Sequence, residues 1–207
     1  MNPGSVRLNP PGGRSVHPIV QPAPAPLPDL ADGLRAGDRA AFSAIVREHQ
    51  RGIFFHVLRM VRRDEPLARD LVQKVFLQAW AKRESFRGDA SLKTWLLRIA
   101  TNLTLNELRR AHRHREEAVE SGGDDVAASD AVDAFDQLEV ARQREQLAEA
   151  VQTLPPKQRA VVLLRLYEDL AFPEIGDVLG ITANNAKVHF HHATKTIKRQ
   201  LAQRGAA

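Results

Sequence analysis

The stretch FRGDASLKTWLLRIATNLTLNELRR, residues 86–110, joins a glycine-containing turn to a two-sided helical pattern. When the residues after the turn are spaced at about 100° each, apolar side chains share one stripe: Leu92, Leu96, Ile99 and Leu103. Arginine and asparagine side chains share the opposite stripe: Arg98, Asn102, Asn106, Arg109 and Arg113. The pattern predicts an amphipathic helix whose apolar side lies in a core.

The polar stripe has an unusual composition for a solvated helix face. Arginine presents a fork of hydrogen-bond donors and asparagine both donates and accepts, so these residues suit phosphates and the edges of bases. The composition therefore favours a nucleic-acid-binding face. A solvated surface that binds nothing is the alternative interpretation.

Proline and charge divide the chain into segments. Residues 1–28 hold eight of the twelve prolines and no acidic residue, which predicts a disordered tail. Residues 29–115 carry 18 basic and 10 acidic residues, and residues 141–207, within a second predicted domain at 139–207, are again basic. Between them, residues 116–140 contain nine acidic residues and no basic one, which predicts a flexible acidic linker at 116–138. We therefore expect an all-α fold of two small helical domains.

The charge layout favours a single polyanion that is bound by both basic domains. A linker that is acidic only for solubility is the alternative. No apolar run approaches the roughly 18 residues of a membrane span, and the N-terminus lacks the apolar region of a signal peptide. We expect a cytoplasmic protein without membrane insertion.

Cysteine is absent from the chain. Disulfides and thiolate metal sites are therefore excluded. No motif in the sequence implies a cofactor. The sequence HFHH at 189–192 places His189 and His192 on one helical face, but two imidazoles without a third ligand make an incomplete metal site.

The second domain has the pattern of a helix-turn-helix. The prolines at 155–156 suit a first helical turn, and FPEIGDVLG at 172–180 predicts a short helix that ends at Gly180, where a positive φ permits a tight turn. Thr182 can then cap a helix that runs to about Gln203. The early residues of such a helix face base edges in the major groove. The candidate contacts are Thr182, Asn184, Asn185, Lys187, His189, His191, His192 and Lys195. A purely structural three-helix bundle is the alternative.

A second candidate surface lies in DLVQKVFLQAWAKR, residues 70–83. The predicted buried arc consists of Leu71, Val72, Val75, Phe76 and Ala79. The opposite arc carries Asp70, Gln73, Lys74 and Leu77. A leucine among polar residues is typical of a helix-to-helix protein interface, although single exposed leucines also occur without a partner. The first domain thus has one predicted face for nucleic acid and one for a protein.

Three motifs in this order are similar to those of the bacterial extracytoplasmic-function sigma factors: DLVQKVFLQAW, then FRGDASLKTWLLRIATNL ending in LRR, then LPPKQRAVVLLRLYEDLAFPEIGDVLGI. The resemblance covers residues from about 38 to 203. It omits the proline-rich tail and matches the linker in composition alone.

The resemblance implies a subunit that specifies promoters for RNA polymerase. The helix matching Asp70–Trp80 would dock on the clamp-helix coiled coil of the largest polymerase subunit. The turn matching Phe86–Ser91 and the helix after it would open and read the minus-ten element. The helix-turn-helix would read the minus-thirty-five element and touch the flap of the second-largest subunit. Such factors usually have an anti-sigma partner.

Within that resemblance, the arginine and asparagine stripe would hold the phosphates of melted promoter DNA. Phe86 and Arg87, in the turn before it, would also contact the minus-ten DNA. The turn would form a wall for a flipped-out base. Phe86 and Trp95 could stack on bases, but Trp95 lies nearer the apolar stripe, which favours core packing for it.

Two residue choices and the tail depart from the family pattern. The family usually has glutamate where this chain has Lys74, which reverses a charge at the expected clamp contact. Its recognition helices often have arginine where this chain has His189, His192 and Thr194, which would make phosphate binding weaker and dependent on protonation. The tail has no counterpart in the family.

Two other classes of function compete with a sigma factor. A stand-alone helix-turn-helix regulator would leave the 70–81 face unexplained. A hydrolase or nuclease would need a carboxylate cluster or a nucleophile with its base, but the acidic residues concentrate in the linker, so we expect no catalytic residues.

Overall fold

Helices form the regular structure of residues 30–117 and 135–205, which are the residues that this computed structural model describes. In chain order they are α1 (Leu30–Arg35), α2 (Arg39–Met60), α3 (Glu65–Ala81), a 3₁₀ turn (Arg83–Ser85), α4 (Leu92–Glu117), α5 (Phe135–Gln152), α6 (Pro156–Leu166), α7 (Phe172–Leu179) and α8 (Ala183–Gly205). No strand occurs in these two ranges, and the expected all-α class is confirmed. None of the helices in these ranges is long and apolar enough to cross a membrane.

Short polar side chains begin several of these helices. The side chain of Asp38 accepts a hydrogen bond from a backbone amide in the first turn of α2, and Asp64 does the same for α3. Thr182 Oγ1 accepts from the Asn185 amide at 3.1 Å, as predicted for the cap of α8. Gly180 ends α7 with a φ of 65°, as predicted for the tight turn.

The first domain packs α1, α3 and α4 around the long helix α2. The predicted apolar stripe of α4 faces this core, since Leu96 and Ile99 are buried and Leu92 and Leu103 are half-buried. The predicted arc of α3 is likewise buried, except that Val72 is half-buried.

The second domain consists of α5 to α8. Helix α5 begins at Phe135 and α4 ends at Glu117, so helices include both ends of the segment 116–138 that the sequence analysis assigned to the linker. The rest of that segment and the tail at 1–28 lie outside the described residues.

The two domains pack against each other through a continuous apolar core. Leu97 of the first domain belongs to the same buried cluster as Val161 and Ile175 of the second. Met60 and Leu105 likewise belong to a cluster that is otherwise built from residues of the second domain. Small domains bury only part of their apolar surface alone, and this contact buries more of it.

Candidate nucleic-acid and protein interfaces

The arginine and asparagine stripe of α4 lies on the outside of the first domain. Its five members, Arg98, Asn102, Asn106, Arg109 and Arg113, are all exposed. The opposite side of the helix is anchored by buried residues such as Leu96 and Leu97. A helix held by its apolar side presents its polar side in a fixed orientation, which suits the binding of an extended polyanion.

Two members of the stripe contact each other, and a third contacts the second domain. Arg109 donates a hydrogen bond from Nη2 to Asn106 Oδ1, and from Nε to the carbonyl oxygen of Leu105 at 3.3 Å. Asn102 donates from Nδ2 to the carbonyl oxygen of Val178 at 3.1 Å. The predicted DNA face is therefore partly engaged by α7.

The turn before α4 is built around a buried ring. Phe86 is 4% exposed and packs on Trp95 with 5.3 Å between the ring centroids. The structure thus places the Phe86 ring in the core, where it cannot stack on a base, because this apolar ring fills the space beneath the turn. Trp95 also packs against the core, as the sequence analysis favoured. Arg87 and Gly88 are exposed, and Gly88 has a φ of 82° that favours glycine.

The candidate protein interface lies on α3. Leu77 is 63% exposed and Gln73 is also exposed. Lys74 Nζ lies 2.6 Å from Asp70 Oδ2, one helical turn away. The positive charge that departs from the family pattern is therefore paired with a carboxylate of the same face.

Beside Leu77 runs a groove of about 900 Å³ between α2 and α3. Aromatic side chains form much of its lining, including Phe42, Phe54 and Trp80. The sequence analysis missed the α2 wall of this groove. The signal for it was the four-residue spacing of Phe42, Val46, Gln50 and Phe54, which places them on one side of a helix.

The start of α8 is open to solvent on one side. Thr182, Asn184, Asn185, Lys187, His191, His192 and Lys195 are exposed, and His189 is half-buried. Ala186 and Ala193 are buried on the opposite side. The His191 and His192 rings lie 6.2 Å apart. The described residues contain no group of three or more side chains that could hold a metal ion.

A buried carboxylate lies where the domains meet. The Glu168 side chain, between α6 and α7, is 8% exposed, with Oε2 at 2.9 Å from Lys93 Nζ and Oε1 at 3.8 Å from His56 Nδ1. His56 Nε2 lies 3.0 Å from Thr101 Oγ1. Burial lowers the pKa of His56 to about 4, although the Glu168 carboxylate acts in the opposite direction. This imidazole is therefore neutral near neutral pH.

A buried guanidinium makes a further polar contact between the domains. Arg159 is 2% exposed and donates to the carbonyl oxygens of Met60 at 2.6 Å, Gln152 at 2.9 Å and Leu154 at 3.0 Å. Burial, and secondarily the charge of Arg62, lowers the pKa of Arg159 to about 10. The group still carries its charge at neutral pH. The sequence analysis did not assign any role to Arg159 or Glu168.

Family comparisons match both domains. The family model for sigma-70 region 2 matches residues 45–114, and the family model for sigma-70 region 4 matches residues 144–197. Together these matches cover more than half of the chain. A stand-alone helix-turn-helix regulator would not account for the region 2 match and is not favoured.

Curated relatives match along most of the chain. The chain is 28% identical over 180 residues to "ECF RNA polymerase sigma factor SigW" of Bacillus subtilis (strain 168), which covers 81% of this chain and 92% of that protein. It is 28% identical to "ECF RNA polymerase sigma factor SigL" of Mycobacterium tuberculosis (strain ATCC 25618 / H37Rv), which covers 84% of this chain and 96% of the relative.

Solved structures share the fold. CnrH in complex with the cytosolic domain of CnrY has a TM-score of 0.59 and 24% identity, covering 84% of this chain and 96% of that one. The sigma factor RpoE from Bartonella quintana, in complex with the anti-sigma factor NepR, has a TM-score of 0.63 and 20% identity, covering 78% and 96%. The chain therefore belongs to the sigma-70 family, in its extracytoplasmic-function group, and is an alternative sigma factor that directs RNA polymerase to promoters.

Proposed function

We propose that this sigma factor binds a promoter at two elements and helps to melt the first of them. The stripe of α4 holds the phosphates of the melted minus-ten element, with Arg87 at the turn before it. The observation that carries this proposal is the exposure of all five arginine and asparagine side chains on a helix whose other side is buried. Phe86 has a supporting role in this proposal, because its ring fills the core under the turn.

The start of α8 reads the minus-thirty-five element as duplex. Its exposed asparagines can pair with adenine, and Lys187 can reach guanine or a phosphate. The exposed side of this helix and its buried alanines support this orientation.

Docking on the clamp helices of core polymerase uses the α3 face of Asp70, Gln73, Lys74 and Leu77. The exposure of Leu77 beside an apolar groove supports this part of the proposal. An exposed apolar side chain that loses its water on entering a pocket of a partner contributes to the free energy of binding. The second domain contacts the flap of the second-largest subunit.

Control of this activity involves an anti-sigma partner. Both structural relatives named above were solved with a second protein, which for the Bartonella sigma factor is an anti-sigma factor. The chain acts by binding rather than by catalysis, and it acts in the cytoplasm, where its polymerase is.

Run-off transcription tests the proposal. The full chain is added to core polymerase of its own organism with fragmented genomic DNA, and the transcripts are mapped and their promoters footprinted. We expect new start sites whose footprints share two sequence elements. Binding to duplex DNA without any polymerase-dependent transcript would contradict it.

A further inference from the structure

We propose that the proline-rich tail docks in the groove between α2 and α3, with residues 22–27 along its length, and that it competes there with core polymerase for the α3 face. The competition rests on the proposed docking of that face on polymerase. The docking of the tail is independent of it, since it depends only on the groove and on the segment of chain beside it.

The groove exposes a row of aromatic side chains. Phe42, Phe54 and Trp80 line it and are only half-buried. At one end the Phe42 ring packs on Trp80 at 4.9 Å and on Phe76 at 6.5 Å between centroids, and at the other end the Arg69 guanidinium lies 5.6 Å from the Phe54 ring. Contiguous exposed apolar surface marks binding sites. A groove lined by aromatic rings suits a proline-rich segment in the polyproline II conformation.

The tail joins the described chain beside one end of this groove. Leu30 begins α1. Gly33, one turn later, packs so closely on the first turn of α2 that a Cβ on the glycine would lie 2.5 Å from that of Ala41. Arg39 and Phe42, from the same turn of α2, line the end of the groove. The residues that precede Leu30 therefore start next to the site in which we place them.

The length of the segment matches the length of the groove. Phe42 and Phe54 are separated by about 18 Å along α2, at 1.5 Å per residue. The sequence PAPAPL at 22–27 would span about 19 Å in the polyproline II conformation. Pro28 and Asp29 then connect it to Leu30, and this connection can extend to about 10 Å. The prolines nearest to α1 can therefore lie along the whole groove.

The composition of the segment also fits the groove. Residues 15–28 contain no aspartate, glutamate, lysine or arginine, so docking them removes no such charge from water. Proline restricts the backbone before binding, which lowers the entropy that docking costs. The carbonyl oxygens of a polyproline II segment have no partner within it. Exposed side chains along the groove can donate to them, namely those of Arg39, Gln50 and Gln73.

A docked tail would cover part of the proposed polymerase-binding face. Gln73 and Leu77 belong to that face and also line the groove. A short tether gives an effective concentration of about 1 mM, so an intrinsic dissociation constant of about 0.1 mM would leave about a tenth of the molecules with an open groove. The apparent affinity for core polymerase should then be lower by about tenfold.

The first experiment locates the tail in the full chain without polymerase. Because the chain has no cysteine, Gln21→Cys in the tail and Ala81→Cys at the exposed end of α3 give two unique sites for spin labels. We expect one narrow distance distribution. A broad distribution in this doubly labelled chain would overturn the docking. The same measurement in a large excess of unlabelled chain should give the same distance, and its loss would assign the groove to the tail of a second copy and overturn docking within one chain.

Substitutions in the tail and in the groove test the contact from both sides. Replacing Pro22, Pro24 and Pro26 together by alanine should broaden the distribution, whereas the same replacement of Pro3, Pro10 and Pro11, farther from α1, should leave it narrow.

Filling the groove should release the tail as well. Ser43 is exposed and lines the groove, so Ser43→Trp should broaden the distribution with unchanged helical circular dichroism. Arg47→Trp is the matched control, since Arg47 is exposed on the same helix and is not among the residues that line the groove. A narrow distribution that survives Ser43→Trp would place the tail elsewhere and overturn the proposed site.

The second experiment measures the competition. Core polymerase is titrated into the two fluorescently labelled proline variants, and binding is followed by anisotropy. We expect the variant of Pro22, Pro24 and Pro26 to bind about tenfold more tightly than the variant of Pro3, Pro10 and Pro11. Equal affinities would overturn the competition. Because the spin-label experiment uses neither polymerase nor a promoter, and run-off transcription by the unmutated chain tests the proposed function, either proposal can fail without the other.

Discussion

Arg159 Nη1 donates a hydrogen bond to the carbonyl oxygen of Met60 at 2.6 Å, and so joins two residues that lie 99 positions apart in the chain. The same guanidinium donates to two carbonyl oxygens of its own domain, those of Gln152 and Leu154. One buried cation therefore ties the turn before α6 to the end of α2.

Replacing Arg159 by methionine should destabilise the chain strongly. The variant keeps a long side chain but leaves three carbonyl oxygens, two of them in buried hydrogen bonds, without this donor. Each buried acceptor left unsatisfied costs about 1 to 3 kcal/mol. Arg159→Lys keeps the charge without the fork of donors and should lose less. Urea unfolding gives the free energy of unfolding of the unmutated chain and of both variants, and so tests whether the lysine variant loses less stability than the methionine variant. A methionine variant as stable as the unmutated chain would show that these bonds contribute no net stability.

Acid should destabilise the fold through His56. Its pKa is about 4 in the folded chain, whereas the ordinary pKa of a histidine is 6.5. The unfolded chain therefore binds a proton that the folded chain does not, so the stability that is complete above pH 6.5 is lost as the pH falls from 6.5 towards 4. Between about pH 7 and about pH 5 the loss is about 2 kcal/mol.

The measurement is the free energy of unfolding as a function of pH. The pKa of His56 also depends on the charges of Glu168, Arg59 and Lys93. The control variant therefore keeps these three residues and replaces only the titrating ring. His56→Gln keeps a hydrogen-bonding side chain near Thr101 and should show a flatter profile over the same range. An equally steep profile in this variant would assign the acid sensitivity to other groups.

Leu77→Ala should weaken the complex with core polymerase by about tenfold, the effect of losing about 1.4 kcal/mol at an interface. The fold should be unaffected, because this side chain is 63% exposed. Leu166→Ala is the matched control, since Leu166 is 54% exposed on a different helix. Fluorescence anisotropy of labelled sigma factor titrated with core polymerase measures both. Equal affinities for all three chains would count against the α3 face.

Arg109→Ala should reduce open-complex formation more than it reduces binding of core polymerase. A plot of the logarithm of the DNA-binding constant against the logarithm of the salt concentration has a negative slope. One lost phosphate contact should reduce the magnitude of that slope by about one. Arg110→Ala is the matched control, since Arg110 is exposed on the same helix and pairs with Glu107 at 3.0 Å. Permanganate reactivity of melted thymines reports the open complex. Equal effects of the two substitutions would mean that the predicted stripe has no special role.

Local sequence patterns predicted α3, α4 and α6 to α8, together with the outward faces of α3, α4 and α8. The apolar stripe of α4 and the arc of α3 could be read from side chains spaced three and four residues apart, because such residues share one side of a helix. Thr182 and Gly180 marked the start of α8 and the end of α7 through backbone preferences that act within one turn. The exposure of the arginine and asparagine stripe follows from the same periodicity.

Tertiary structure alone decided how the two domains meet. The bond from Asn102 to Val178 spans 76 residues, and the ionisable neighbours of Glu168 come from α2 and α4. Periodicity carries no information about such pairs, because each depends on how whole helices pack. The burial of the Phe86 ring has the same origin, since a turn residue shows no stripe of its own. The sequence by itself determined which helices form and which of their sides are polar, whereas packing between distant helices decided which of those polar sides a neighbouring helix engages.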